Sequence, residues 1–235
     1  MINNKKITAI ITAGGSGIRF NSKKRKQYFK LAGKTILDWS VLLFSNHILI
    51  DNIVLVVPES DLPSVKKQYS DYKKLIICQG GKSRQESVYN GLISCPKDTA
   101  IVLIHDGVRP FVYKNEISEL IRLTDQYGAV IPVTKVKYTI KTITEDNIEK
   151  TIDRSKLVEV HTPQTFNYSD ILEMHKKAQN IDFEFTDDAS IAEYFKREVK
   201  ACFCSNFNIK ITNPEDLTIA KIIIKNFVKE GNYEA

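Results

Sequence analysis

Short apolar runs alternate with amphipathic stretches along most of the chain, the pattern of repeated β-α units. Strand-like runs fall at residues 7–12, 53–57, 75–78, 101–105 and 129–133. Between them, Ile36, Trp39 and Leu43 share one helical face, and Val88 and Leu92 sit four apart on another. Asn213-Pro214-Glu215 supplies an N-cap, a first-position proline and an early acid, and Leu217, Ala220 and Ile224 align on the helix that follows. The alternation predicts a mostly parallel sheet covered by helices.

One region breaks the pattern. Residues 137–156 (KYTIKTITEDNIEKTIDRSK) contain two β-patterned pieces, YTIKTI and IEKTI, around the turn-like Glu145-Asp146-Asn147. The outer residues are polar, so the hairpin has little apolar surface to bury by itself. An isolated two-stranded hairpin is marginal in water. A partner subunit is therefore expected to support it.

Composition narrows the class. The 235 residues, 43% of them hydrophobic, suffice for one sizeable core, and the expectation is a single domain spanning 1–235. No apolar run approaches the length of a membrane span. The opening MINNKKITAIITAGG reads as a first strand rather than a signal peptide, so cytoplasmic residence is expected, with no membrane partner. Cys78, Cys95, Cys202 and Cys204 match no metal or redox spacing and are expected as free, buried thiols; the four histidines form no local ligand cluster. The net charge of +6 favours anionic partners without choosing among them.

The first strand runs into Thr12-Ala13-Gly14-Gly15-Ser16-Gly17-Ile18-Arg19-Phe20. Three glycines there let the backbone turn sharply and bring N–H groups close to an anion. In an open parallel sheet this strand end is where ligands bind. A dinucleotide fingerprint from Gly15 fails at Phe20, and a Walker loop ending in Gly81-Lys82-Ser83 fails at Ile76. Arg19 and the run Lys23-Lys24-Arg25-Lys26 follow the glycines, placed to clamp a triphosphate and neutralise charge during phosphoryl transfer. A solvated charged face is the plain alternative. As a different class, a basic nucleic-acid-binding protein calls for aromatics among the basic residues, and only Tyr28 and Phe29 lie just beyond. No nucleic-acid partner is expected.

AGGSGIRF…KQYFKLAGKTIL, GGKSRQESVYNGL, VLIHDGVRPFV, HTPQTF, FTDDAS and NIKITNPEDL occur in this order. In these six blocks, spanning residues 7 to 224, the chain resembles the 2-C-methyl-D-erythritol 4-phosphate cytidylyltransferases of isoprenoid biosynthesis. The resemblance implies a three-layer, Rossmann-like α/β nucleotidyltransferase fold with a β-arm over about 137–156. It implies CTP and a polyol phosphate as substrates, Mg²⁺ held through the CTP phosphates, and a homodimer with exchanged arms. The related ribitol 5-phosphate cytidylyltransferases share AGG-type loops. Gly81, Arg84-Gln85, Ser87-Val88 and the TDDAS block favour the isoprenoid enzymes.

By the same resemblance, Ala13, Gly14 and Gly15 line the CTP site, and Gly81 with Ser87 holds cytosine. Arg19 and Lys26 stabilise the α-phosphate in the transition state, and Lys210 is a third cation on the phosphates. Asp106 binds acceptor hydroxyls, and Arg109 braces its loop. Thr162 and Thr186 line the acceptor pocket, with Thr186 as a helix N-cap in the structural alternative. Thr139 and Arg154 match the arm residues that contact the acceptor phosphate in the partner's site. Tyr138 departs from the family, many members of which carry Asp there.

Overall fold

The computed structural model describes residues 5–15 and 25–233, so Arg19, Lys23 and Lys24 lie outside the described residues. The first half of the chain alternates β1 (Lys6–Thr12), α1 (Ile36–Ser45), β4 (Asn52–Val57), α2 (Leu62–Gln68), β5 (Leu75–Gln79), α3 (Arg84–Ile93) and β6 (Thr99–Asp106). A small hairpin, β2 (Lys30–Leu31) and β3 (Lys34–Thr35), precedes α1 and turns through Ala32 and Gly33, both at positive φ. Next come α4 (Lys114–Tyr127), β7 (Ala129–Lys135), β8 (Ile140–Thr144), β9 (Asn147–Ile152), β10 (Val158–Val160), β11 (Gln164–Asn167) and α5 (Tyr168–Ala178). The chain ends with α6 (Asp188–Tyr194), β12 (Lys200–Phe203) and α7 (Pro214–Lys229).

Eight strands form one sheet in the order β10-β7-β11-β6-β1-β4-β5, with β12 on the far side of β7. The β6-β1-β4-β5 part is parallel, while β11 is wedged antiparallel between β6 and β7. Alternation along β1 explains the layers. Ile7, Ala9 and Ile11 pack with α1, α4 and α7 on one face, whereas Ile10 packs with Val88 and Leu92 of α3 on the other. The chain leaves β1 toward β4 and β5, then returns past them to β6, so strand order reverses between β1 and β6. Their carboxyl ends, Thr12 beside Asp106 in register, form the switch point at which open α/β sheets bind ligands.

All five strand runs appear, each extended at one end or both, as do the helices on the Ile36, Val88 and Asn213 patterns. Asn213 caps α7 as expected and forms a capping box with Asp216. Cysteine burial is mixed: all four thiols are free, but only Cys95 and Cys202 are buried. The hairpin is present as β8 and β9, a sheet of its own, with the turn shortened to Glu145-Asp146 because Asn147 already pairs with Thr144. The arm is also less polar than its sequence suggests. Tyr138, Ile143 and Ile148 are more than half exposed, and Ile143 faces Ile148 across the ladder. No helix among the described residues is long and apolar enough to cross a membrane.

Candidate active site

A cavity of about 350 Å³ opens at the switch point. Thr12, Ala13, Gly14 and Gly15 form one wall, and Gly81 to Arg84 with Ser87 form another. Lys26, Gln27, Asp106, Val108 and Lys210 complete it. Ala13 N–H donates to the Val56 carbonyl at 2.8 Å, and the buried Gln27 side chain donates to the Ala13 carbonyl at 2.6 Å. The strand is thereby carried one residue beyond β1 before the glycines turn. A Cβ on Gly15 would lie 3.8 Å from Lys26 Cε, so the end of the lysine stem is about one methyl group away from the glycine turn.

The basic run divides. Lys26 enters the cavity wall, while the Arg25 guanidinium turns away into an ion pair with Asp61, which also accepts from the Tyr28 hydroxyl at 2.7 Å. Tyr28 and Phe29 pack against the core. The run is thus an anchor as well as a clamp: Arg25 and Tyr28 fix the turn that presents Lys26.

The wall formed by residues 80–87 is held by its own polar groups. Ser83 caps α3 by accepting from Glu86 N–H at 3.0 Å. The buried Ser87 hydroxyl accepts from Gly81 N–H at 3.0 Å and donates to the Ser83 carbonyl at 2.8 Å, while Glu86 accepts from Lys82 N–H at 2.7 Å. Any side chain on Gly81 would collide with Glu86, so glycine is needed here for close approach. Ser87 shapes the loop through both bonds, and one hydroxyl lone pair remains for a ligand.

Asp106 ends β6 and is the only carboxylate among the described residues that line the cavity. Lys210 Nζ sits 2.8 Å and Arg109 Nε 3.3 Å from its Oδ2, with Arg84 Nε 3.8 Å from Oδ1. Burial works against the carboxylate charge, but these three cations prevail and hold it well below the usual carboxylate range. Oδ1 is the less engaged oxygen and the better placed to accept from a ligand hydroxyl. Lys210 arrives on a segment fixed by Ile211 N–H to the Val108 carbonyl (3.0 Å) and by Thr212 to Asp216.

Beneath Asp106, the buried Thr162 hydroxyl accepts from the Asp106 N–H at 3.1 Å and meets His105 Nδ1 at 3.0 Å. His105 is fully buried and its pKa is pushed down to about 4 by desolvation. Arg109 does brace the loop, donating to the Asn208 carbonyl at 2.9 Å besides pairing with Asp106. Thr162 therefore supports the site from below rather than lining the cavity.

The remaining acceptor-side residues lie elsewhere. Thr186 is exposed and outside the cavity wall, and it is not the N-cap of α6: Asp187 is, accepting from Ser190 N–H at 2.9 Å. Asp188 is a fully buried group bonded to Arg84 and His175. Thr139 and Arg154 are exposed at the base of the arm, where Arg154 donates to the Lys137 carbonyl at 2.5 Å. The sequence reading missed Gln27, Asp188, His175 and Asn208. Only Asp188 carried a signal, as a second acid where one caps the helix.

Among the described residues, no group of three or more His, Cys, Asp or Glu side chains could hold a metal ion. Asp106 is the carboxylate that lines the cavity among the described residues and could share a divalent cation with substrate phosphates.

Comparison with known proteins identifies the family. The family model of 2-C-methyl-D-erythritol 4-phosphate cytidylyltransferase matches residues 7–226. A relative of that name from Clostridium botulinum is 42% identical over 222 residues, covering 93% of this chain and 99% of its own. One from Clostridium novyi is 44% identical over 223 residues, covering 93% and 96%. The crystal structure of 4-diphosphocytidyl-2C-methyl-D-erythritol synthase from Anaerococcus prevotii superposes with a TM-score of 0.85 at 32% identity, covering 95% of this chain and 98% of that one. The chain belongs to the 2-C-methyl-D-erythritol 4-phosphate cytidylyltransferase family.

Proposed function

We propose that the protein transfers CMP from CTP to 2-C-methyl-D-erythritol 4-phosphate, releasing pyrophosphate, in a cavity where Lys26 and Lys210 face a glycine-rich strand end. The single observation that carries the reading is the convergence of Gly14, Gly15, Lys26, Asp106 and Lys210 at the β1/β6 switch point. Backbone N–H groups of the glycine wall receive the triphosphate, and the 80–87 wall offers fixed backbone groups to the cytosine edge. An acceptor phosphate oxygen is already anionic, so it attacks the α-phosphate without a general base. The bond to the α-phosphate forms as the bond to the β-phosphate bridging oxygen breaks, and pyrophosphate leaves in line. Lys26 and Lys210 stabilise the charge gathering on the α-phosphate oxygens, while Asp106 keeps Lys210 in place and accepts from an acceptor hydroxyl. Arg19 is assigned beside Lys26 on the family motif alone. Mg²⁺ bound to the CTP phosphates would neutralise part of their charge.

The acceptor's terminal phosphate is assigned to Thr139 and Arg154 of the partner subunit in a homodimer that exchanges its arms. What supports this is the arm's exposed Tyr138, Ile143 and Ile148, and that neither Thr139 nor Arg154 is among the described residues lining their own cavity. An arginine fork also suits a terminal phosphate. We place the reaction in the cytoplasm. The family match disfavours the ribitol 5-phosphate reading.

A pyrophosphate-release assay tests the proposal, with CTP and either polyol phosphate. Rapid release with the methylerythritol phosphate and little with ribitol 5-phosphate is expected; the reverse would overturn the acceptor assignment. CTP should also outperform UTP and ATP, because a wrong base leaves fixed polar groups unpaired.

A further inference from the structure

A line of buried charge runs behind the cavity wall, and the transfer as described makes no use of it. Arg84 is the first residue of α3 and lines the cavity. Its Nη2 donates to Asp188 Oδ2 at 2.7 Å, while its Nε faces Asp106 Oδ1 at 3.8 Å. Asp188, in the first turn of α6, is fully buried, and its other oxygen lies 3.1 Å from His175 Nε2 on α5. His175 Nδ1 is buried and has no hydrogen-bond partner among the described residues. A bare acceptor is tolerated there better than an unpaired N–H, so the ring proton sits on Nε2 and is donated to Asp188. Three helices thus meet at one carboxylate.

The same contact joins two walls. Arg84 belongs to the 80–87 segment on the nucleotide side. Asp188 sits two residues after Thr186, and that loop is clamped from behind by Gln164, which donates to Asp187 at 2.7 Å and accepts from Ala189 N–H at 2.9 Å. The Arg84 guanidinium also faces Asp106 and so lies between two carboxylates. Only a planar fork can hold two carboxylates from different elements at fixed separation; a lysine ammonium keeps the charge but not the span. The nucleotide wall itself is built from Gly81, Ser83, Glu86 and Ser87 without the Arg84 side chain.

We propose that Arg84, anchored by Asp188 and His175, is a positioning residue that fixes the acceptor side of the cavity against the CTP side. It sets the line of approach of the acceptor phosphate to the α-phosphate. This rests on the cytidylyl transfer proposed above. Loss of the anchor then slows the transfer while leaving CTP binding nearly intact.

The experiment is steady-state kinetics with CTP and 2-C-methyl-D-erythritol 4-phosphate for Arg84→Lys, Asp188→Asn, His175→Gln and the Arg84→Lys/Asp188→Asn double variant. Melting temperatures are recorded alongside, and Ile171→Val, a core change on the same helix as His175, serves as a packing control. Displacement of reacting groups by about 1 Å costs on the order of a hundred-fold, so kcat should fall about that much for Arg84→Lys with little change in KM for CTP. His175→Gln, which reaches the cavity only through Asp188, should lower kcat in the same direction. The double variant should be no slower than the slower single, as residues acting as a unit are not additive. Wild-type kcat in Arg84→Lys, or losses that multiply in the double variant, would overturn the positioning role while the transfer reading stands. An inactive wild type would overturn both.

Discussion

Asp106 lies buried among three cations from three separate segments of the chain, whereas Arg154 stands exposed, its guanidinium resting on the backbone carbonyl of Lys137. Around Asp106, carbonyls and hydroxyls of β1, β6 and the 80–87 segment are paired within the chain. Around Arg154 a two-stranded sheet projects with apolar side chains in solvent. The contrast separates what the chain orders by packing on itself from what it leaves in solvent. A nucleotide wall is preorganised because each loop closes on its own serine, glutamate or glutamine. Among the described residues, β8 and β9 pair only with each other.

The largest expected effect sharpens the nucleotide side. Lys26→Ala and Lys210→Ala should each lower kcat by roughly a hundred- to a thousand-fold, the cost of removing one preorganised electrostatic group. Turnover near wild type in both would remove their assigned roles. Asp106→Asn comes next and should be read first as a folding variant. Removing the carboxylate leaves three cations facing one another, at a cost of about 3 kcal/mol, the lower end for a broken buried pair since Arg84 and Lys210 can rehydrate. Urea unfolding measures it, and an unchanged midpoint would show that the cations do not depend on Asp106.

Acid separates the two regions further. The unfolded chain protonates His105 near its ordinary value, but the folded chain resists until about pH 4. A depressed folded pKa means the stability it contributes is whole above about pH 6.5 and disappears as the pH falls through about 4. Asp188, held down to about 2 against burial by Arg84 and the His175 bond, extends the loss from about pH 4 through about 2. Both groups sit on the cavity side. Unfolding free energy measured across this range should decline with acid; a flat profile from neutral pH to about 4 would contradict the burial of a neutral His105. The smallest effect belongs to the arm. Arg154→Ala should leave stability within about 0.5 kcal/mol, as for an exposed side chain, yet raise KM for the acceptor. A large drop in melting temperature would mean that the arm is tied into its own core.

Much of the cavity was legible in sequence because its parts are local. Glycines must follow a strand at a ligand-binding end, and Asp106 must end the strand that begins near residue 101. Lys26 was legible for the same reason, although Arg25 beside it turned out to serve Asp61. What escaped depended on tertiary pairing. Nothing in the spacing of Arg84, His175 and Asp188 announces that they meet, and β11 enters the sheet antiparallel between two strands that sequence order would make neighbours. The capping alternative for Thr186 fails because Asp187, an equally good capping residue, stands one position on. The arm was found from its alternation, but its apolar face was underestimated because polar neighbours dominate the segment.

The claim that each site is completed by the other subunit is tested most directly by mixing. Arg154→Ala and Lys26→Ala chains are co-expressed or refolded together, and activity is measured at saturating CTP and at an acceptor concentration low enough that each parent variant is nearly inactive, with heterodimers confirmed by mass. With the arm acting in trans, one site of every mixed dimer carries both lesions and the other carries neither. At random assortment about a quarter of all sites are then intact, and activity should return to about that fraction of wild type. If Arg154 serves its own subunit, every mixed site keeps one lesion, and no recovery above the two parent variants would contradict the account.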